Sequence, residues 1–342
     1  MKRGLVKLDI NETPRSVYED RLDQLRAQLR EEGCTIGLVY ADISRGGDLS
    51  YLTNFCLYWN EAVLAVPVDG PPALIMKLSK RVNPWIKRTT ILDDIRSGPN
   101  AAKNIAEFVG EQKDGDNAAI GLVGSEWWPD ALLTQLRDAA PGAQMHPLGN
   151  LVKDVRRVPD LEELALLEEA GHILTDVIEK AAHKAQDGAR LSLMVGDGRR
   201  AGYADLEVHC CTADTGDRLI DAWGQYRYVW VEAARTEGGG AGETLQRTRD
   251  VLFSALKPGA SESSLQAAVA KALPSETDLT VSCWSHVEIE TRGAYRSADD
   301  THRSFAEGEV VSPRLTLKTP DGVFTSAATV RLLAGSPSII AA

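Results

Sequence analysis

The sequence has 342 residues, 43% hydrophobic and 25% charged, with a formal net charge of −11. That length suggests two domains of ordinary size with ample buried core. The acidic balance excludes nucleic acid as a partner, since the basic phrases KRGLVK and VRRV are short and isolated. No window approaches the roughly 18 uninterrupted apolar residues of a membrane span, and no signal-length apolar run follows the first basic residues. No membrane partner is expected, and a cytoplasmic location is. The five cysteines, Cys34, Cys56, Cys210, Cys211 and Cys283, are odd in number and lack metal or disulfide spacing, which fits free thiols in a reducing compartment. Adjacent Cys210 and Cys211 read as one residue on each face of a strand, with a catalytic thiol as the alternative.

In chain order, PRSVYEDRLDQLRAQLREEG places Leu22, Leu25 and Leu29 on one helical face and stops at Gly33. CTIGLVYAD and EAVLAVPVDGPPALIM read as buried strands, the latter turning at Asp69, Gly70 and Pro71. A helix near 78–88, another near 100–111, the strand AAIGLVG and a helix in ALLTQLRDAA complete an α/β domain over residues 1–157. Pro159, Asp160 and Glu163 form a helix-start signal with a capping box, opening a helix that Asp187 and Gly188 are expected to end. Helices over 242–256 and 262–273 flank the phrase KPGAS. DLEVHCCTAD, DRLIDAW, YRYVWVEAART, DLTVSCWSHVEIE, EVVSPRLTL and GVFTSAATVRLLAG read as strands. Residues 158–342 are therefore expected to form an α+β domain with helices on one face of a mainly antiparallel sheet.

Four phrases, in order, resemble the creatinase, prolidase and methionine aminopeptidase family. DLSYLTNF (48–55) resembles its Tyr-Leu-Thr-Gly-Phe phrase, VRRVPDLEELALLEEAGHI its entry into the first long helix, and LKPGASESSL (256–265) its Leu-Lys-Pro-Gly turn. DAWGQYRYVWVEAARTEG (221–238) resembles its Asp-x-Gly…Asp-x-x-Arg-Thr strand pair. The resemblance implies a pita-bread second domain and a homodimer in which one subunit's first domain covers the other's site. It also implies two divalent ions held by two Asp eleven apart, a His and two Glu, with a bridging water as nucleophile.

Here the ligand set is broken. Asp221 matches the first Asp, and Glu232 stands at the second, one methylene longer. SCWSHVEIE lacks the glycines around the expected His, so His286 corresponds to either the metal His or a nearby substrate-facing one. Arg314 stands in the region of the fourth ligand and Ala327 at the last. A guanidinium pointed at the metal position opposes cation binding, so no metal and no cofactor are expected.

A metal-free mechanism needs a proton-transfer residue, an orienting carboxylate and a group for developing charge. Asp221, Glu232, His286 and His209 are the catalytic candidates, and Arg314 binds a carboxylate or oxyanion. Trp59 and Glu61, after the Tyr-Leu-Thr phrase, are substrate-binding candidates by resemblance. Each has a plainer reading. His209 is a hydrogen-bonded core histidine, His286 starts an exposed strand, Asp221 and Glu232 pair with Arg235 and Arg314, and Trp59 is packing. The first expectation is a metal-independent creatinase-like hydrolase or lyase acting on a C–N or similar bond of a small polar amino-acid-like substrate. A pseudoenzyme with a binding or scaffolding role is the second, and an Xaa-Pro-type metallopeptidase with one metal on Asp221, Glu232 and His286 the third.

Overall fold

The computed structural model describes residues 8–113, 115–184, 186–274, 277–291 and 301–342. The chain divides between Val155 and Arg156 into two compact units.

In the first unit, α1 (Arg15–Glu31) buries Leu22, Leu25 and Leu29 as its spacing requires, together with Tyr18 and Arg21. It is followed by β1 (Ile36–Asp42), α2 (Gly47–Thr53), β2 (Glu61–Pro67), β3 (Ala73–Met76), α3 (Asn83–Ile86), β4 (Asp94–Ser97), α4 (Ala101–Gly110), β5 (Ala119–Val123), α5 (Asp130–Ala139), β6 (Gln144–Pro147) and α6 (Leu151–Arg156). The sheet order is β4-β3-β2-β1-β5-β6. β1 runs antiparallel to β2 and parallel to β5, so the sheet is mixed. Ile36, Leu38, Val63 and Ile75 pack with Ile105, Phe108, Leu132 and Leu136 of α4 and α5, which removes the apolar faces of both layers from water. The helix expected near 78–88 is instead a 3₁₀ turn, Lys80–Val82, followed by the one-turn α3, with Pro84 in its first turn. β4 and β6 are four-residue parallel edge strands, too short to show a period-2 pattern.

At the end of α2, Asn54 adopts φ 63°, the left-handed conformation that Gly or Asn enters at least cost. Its side chain accepts from the Tyr18 hydroxyl (3.2 Å) and donates to the Thr89 carbonyl (3.0 Å). The Tyr-Leu-Thr-Asn-Phe phrase is thus a helix stop, with Asn54 in the left-handed position.

The second unit contains α7 (Leu161–Ala182), α8 (Asp187–Ala201), β7 (Tyr203–Thr212), β8 (Arg218–Tyr226), β9 (Val229–Glu237), α9 (Gly239–Ala255), α10 (Glu262–Ala272), β10 (Leu279–Ser285), β11 (Val310–Thr319), β12 (Gly322–Ala327), β13 (Thr329–Arg331) and β14 (Ser338–Ala341). Its sheet is ordered β14-β13-β11-β12-β9-β8-β7, with β10 on β11, and every pair is antiparallel. Asp160 caps α7 by accepting from the Glu163 amide (2.7 Å).

Asp187 does not end a long helix; it begins α8, which the sequence reading missed. Gly188, Gly196 and Gly198 lower the helical signal there. Gly198 nevertheless has a packing reason, because a Cβ at that position would lie 2.5 Å from Leu206 Cδ2 of β7. Similarly, a Cβ on Gly171 of α7 would lie 2.1 Å from the Ile340 carbonyl oxygen, so the bare glycine lets β14 rest on the helix. His286 does not start a strand either: β10 ends at Ser285, and His286 is 1% exposed.

Candidate functional site

The register of the second sheet aligns the candidate residues on one line. His209 pairs with Asp221, Asp221 with Ala234, Ala234 with Ala327, Ala327 with Arg314, and Arg314 with Ser282. Directly paired residues project from the same face. Asp221 and Arg314 are therefore on one rung, separated by two alanines whose small side chains leave room above the sheet. Arg314 extends across that room and grips Asp221 with both terminal nitrogens. Nη1 donates to Oδ1 at 3.0 Å, and Nη2 donates to Oδ2. Nη1 also lies 3.5 Å from Glu232 Oε2. Thr325 donates to Asp221 Oδ2 at 3.5 Å, while the Thr329 hydroxyl accepts from the Glu232 amide and donates to its carbonyl, both at 2.9 Å.

Asp221, Glu232 and Arg314 are all buried. Burial opposes charge on Arg314, but its hydrogen bonds to Asp221 and the fields of Asp221 and Glu232 outweigh it, holding the guanidinium above its ordinary value. The group is a fixed cation between two carboxylates. Arg235, the other expected partner, is one residue beyond the Ala234 rung and so faces the opposite side of the sheet. There it pairs with Glu237 (3.2 Å).

His286 belongs to a different network. Its Nδ1 lies 3.4 Å from the Val310 carbonyl and its Nε2 3.4 Å from Glu163 Oε1. That same oxygen accepts from Arg156 Nε (3.1 Å) and Nη2 (2.8 Å). Glu163 carries only a capping signal in the sequence; its carboxylate, 0% exposed, is the centre of this cluster. His209, by contrast, is exposed and stacks on Trp223 at 5.4 Å with planes 15° apart, so it is not a core histidine. Trp223, Trp230 and Trp284 share the face of Asp221. Trp223 pairs with Glu232, Trp230 is two residues before Glu232, and Trp284 pairs with Ser312, two residues before Arg314.

Trp59 and Glu61 lie in the first unit. Trp59, 47% exposed, stacks on Trp85 at 6.3 Å and 12°, with Tyr58 edge-on to both at 5.7 Å. Glu61 accepts from the Tyr40 hydroxyl at 3.3 Å. Burial, followed by Asp42 and Glu61, pushes the Tyr40 phenol up. Cys210 and Cys211 are on opposite faces of β7, and burial followed by Asp187 raises both thiols.

These residues do not fit a pair of divalent ions. Two carboxylates of the expected set are present, but both are engaged by Arg314, and Ala327 offers no donor. Among the described residues, no group of three or more His, Cys, Asp and Glu side chains is arranged to hold a metal. Nor is any described helix long and apolar enough to cross a membrane.

Residues 21–158 match the family model of the Creatinase/Prolidase N-terminal domain. No curated protein matches by sequence. Among solved structures, the X-Pro aminopeptidase of Thermotoga maritima is similar with a TM-score of 0.77 at 14% identity, covering 94% of this chain and 97% of that one. The prolidase of Pyrococcus horikoshii gives a TM-score of 0.75 at 10% identity, with 94% and 98% covered. The dipeptidase PepE of Mycobacterium ulcerans gives 0.73 at 17% identity, with 96% of each chain covered. At these identities the likeness is one of fold, and it extends over both units.

Proposed function

Because the chain carries a creatinase/prolidase N-terminal domain followed by a pita-bread fold, we propose that it keeps this family's frame without its two-metal chemistry, as a pseudoenzyme that binds a small polar amino-acid-like molecule without hydrolysing it. One observation carries the reading: Arg314 supplies, as a permanent internal cation, the positive charge that Asp221 and Glu232 would otherwise take from metal. A guanidinium has no open coordination position and does not deprotonate near neutral pH, so it cannot generate a hydroxide nucleophile as a bound ion does. His286 lies 3.4 Å from both Glu163 and Val310 and, among the described residues, forms no hydrogen bond or ion pair with Asp221 through which to relay a proton. The aromatic side chains sharing the face, Trp223, Trp230 and Trp284, suit a binding surface. The homodimer expected from the resemblance belongs to this proposal and is checked by light scattering on the full chain.

A second reading, metal-independent hydrolysis of a C–N bond, is favoured by the exposed His209 lying directly across from Asp221 on the same face. His209 would then move the proton, Asp221 orient it, and Arg314 bind the substrate's carboxylate or oxyanion. Elemental mass spectrometry of purified protein, with assays on dipeptide and creatine-like substrates before and after chelation, tests both readings. The expected result is substoichiometric metal, no turnover, and ligand binding detected by calorimetry. Chelator-resistant turnover lost in His209→Ala replaces the first reading with the second. Stoichiometric metal with chelator-sensitive turnover overturns both.

A further inference from the structure

On the sheet face opposite Asp221, β9 turns Arg235 toward α9. A cleft of about 630 Å³ opens there, lined among others by Arg235, Glu237, Gln246, Arg247 and Arg249. It adjoins a second cleft of about 600 Å³ that shares Arg235 and Glu237 and adds Arg218 and His183. The lining acids do not balance these cations. Glu237 is divided between Arg218 (3.1 Å) and Arg235 (3.2 Å), while Glu243 on α9 and Glu179, which lines the second cleft, are exposed. Arg249 is half-buried and, among the described residues, forms no ion pair with a carboxylate; its guanidinium carbon lies over the Phe253 ring at 5.1 Å. Burial and then the neighbouring Arg235 hold Arg249 below its ordinary value, with Asp250 acting in the other direction.

Two guanidinium groups sharing a partly desolvated cleft repel each other, and at Arg249 the field of Asp250 offsets burial and that repulsion only in part. Such an arrangement is favourable when a ligand brings the counter-charge. We propose that this cleft binds a phosphate monoester of a small molecule, its dianionic phosphoryl group seated between Arg235 and Arg249, with Gln246 as a neutral donor and Arg247 at the rim. A dianion matches two guanidinium groups of which only Arg235 has a share in Glu237, whereas a monocarboxylate leaves one charge uncompensated. The cleft is larger than inorganic phosphate requires, which leaves room for the ester's organic part.

The test uses the full chain, with inorganic phosphate as probe and chloride or acetate at equal ionic strength as reference. Phosphate is expected to bind in calorimetry and to raise the melting temperature. Arg249→Gln should weaken binding at least about tenfold, the loss of one charge-assisted contact. In phosphate-free buffer this variant should be as stable as the parent or more so, because the substitution removes a repulsion. Lys103→Gln, in the first unit, should retain the full phosphate response. Absence of phosphate binding, an equal response in Arg249→Gln, or a marked loss of stability by that variant without phosphate would overturn the proposal.

Discussion

Replacing Arg314 with Met keeps an unbranched apolar stem but removes the guanidinium, leaving Asp221 and Glu232 buried without their cation. Removing one partner of a buried ion pair typically costs about 3–5 kcal/mol, because the remaining charge is desolvated without compensation. Asp221 and Glu232 side chains are 6% and 0% exposed, and Arg314 bonds both, so the full range applies. For a unit of this size the loss corresponds to a drop of about 6–20 °C in melting temperature. Urea unfolding followed by tryptophan fluorescence reads it in the second unit through Trp223, Trp230 and Trp284. Asp221→Asn in the Arg314→Met background should restore part of the loss, because one uncompensated charge disappears with the substitution. A cost below about 1 kcal/mol for Arg314→Met, the value of a solvent-screened pair, would refute the reasoning.

The two histidines should separate cleanly. His286→Ala removes a buried ring from the Glu163 and Val310 contacts and should cost about 1–3 kcal/mol, whereas exposed His209→Ala should stay within about 0.5 kcal/mol; urea titrations compare them. Gly171→Ala should displace β14 from α7 and lower stability by about 1–3 kcal/mol, seen as faster amide exchange across β14. Burial, then the field of Asp187, pushes the Cys210 thiol up to about 11, so alkylation by iodoacetamide should be slow at pH 7.5 and accelerate toward that value. The folded state keeps this proton in a range where the unfolded chain has released it. Stability should therefore fall as pH rises from about 9 toward about 11, and a Cys210→Ser variant should lose that component.

The sequence by itself determined the helices with clean periodicity, the buried strands and the departure of Arg314 and Ala327 from a metal-ligand pattern. These are local properties: Leu22, Leu25 and Leu29 share a helical stripe wherever that helix packs. Resemblance in short phrases supplied the fold: three of them hold a helix stop, a helix start or a turn, whose backbone conformations restrict residue choice, and the fourth is the strand pair β8–β9. Only the tertiary structure decided that Arg314 reaches Asp221 and that Arg235 does not, because that depends on a register joining four strands and on a one-residue change of face. It also turned His286 to Glu163 across more than a hundred residues of chain and left His209 in the open. The cleft of Arg235 and Arg249 was likewise illegible in one dimension. Arg249 belongs to no motif and Arg235 only to the Arg-Thr phrase, which says nothing of a second cation, and their shared charge arises only because α9 lies over the face to which β9 turns Arg235.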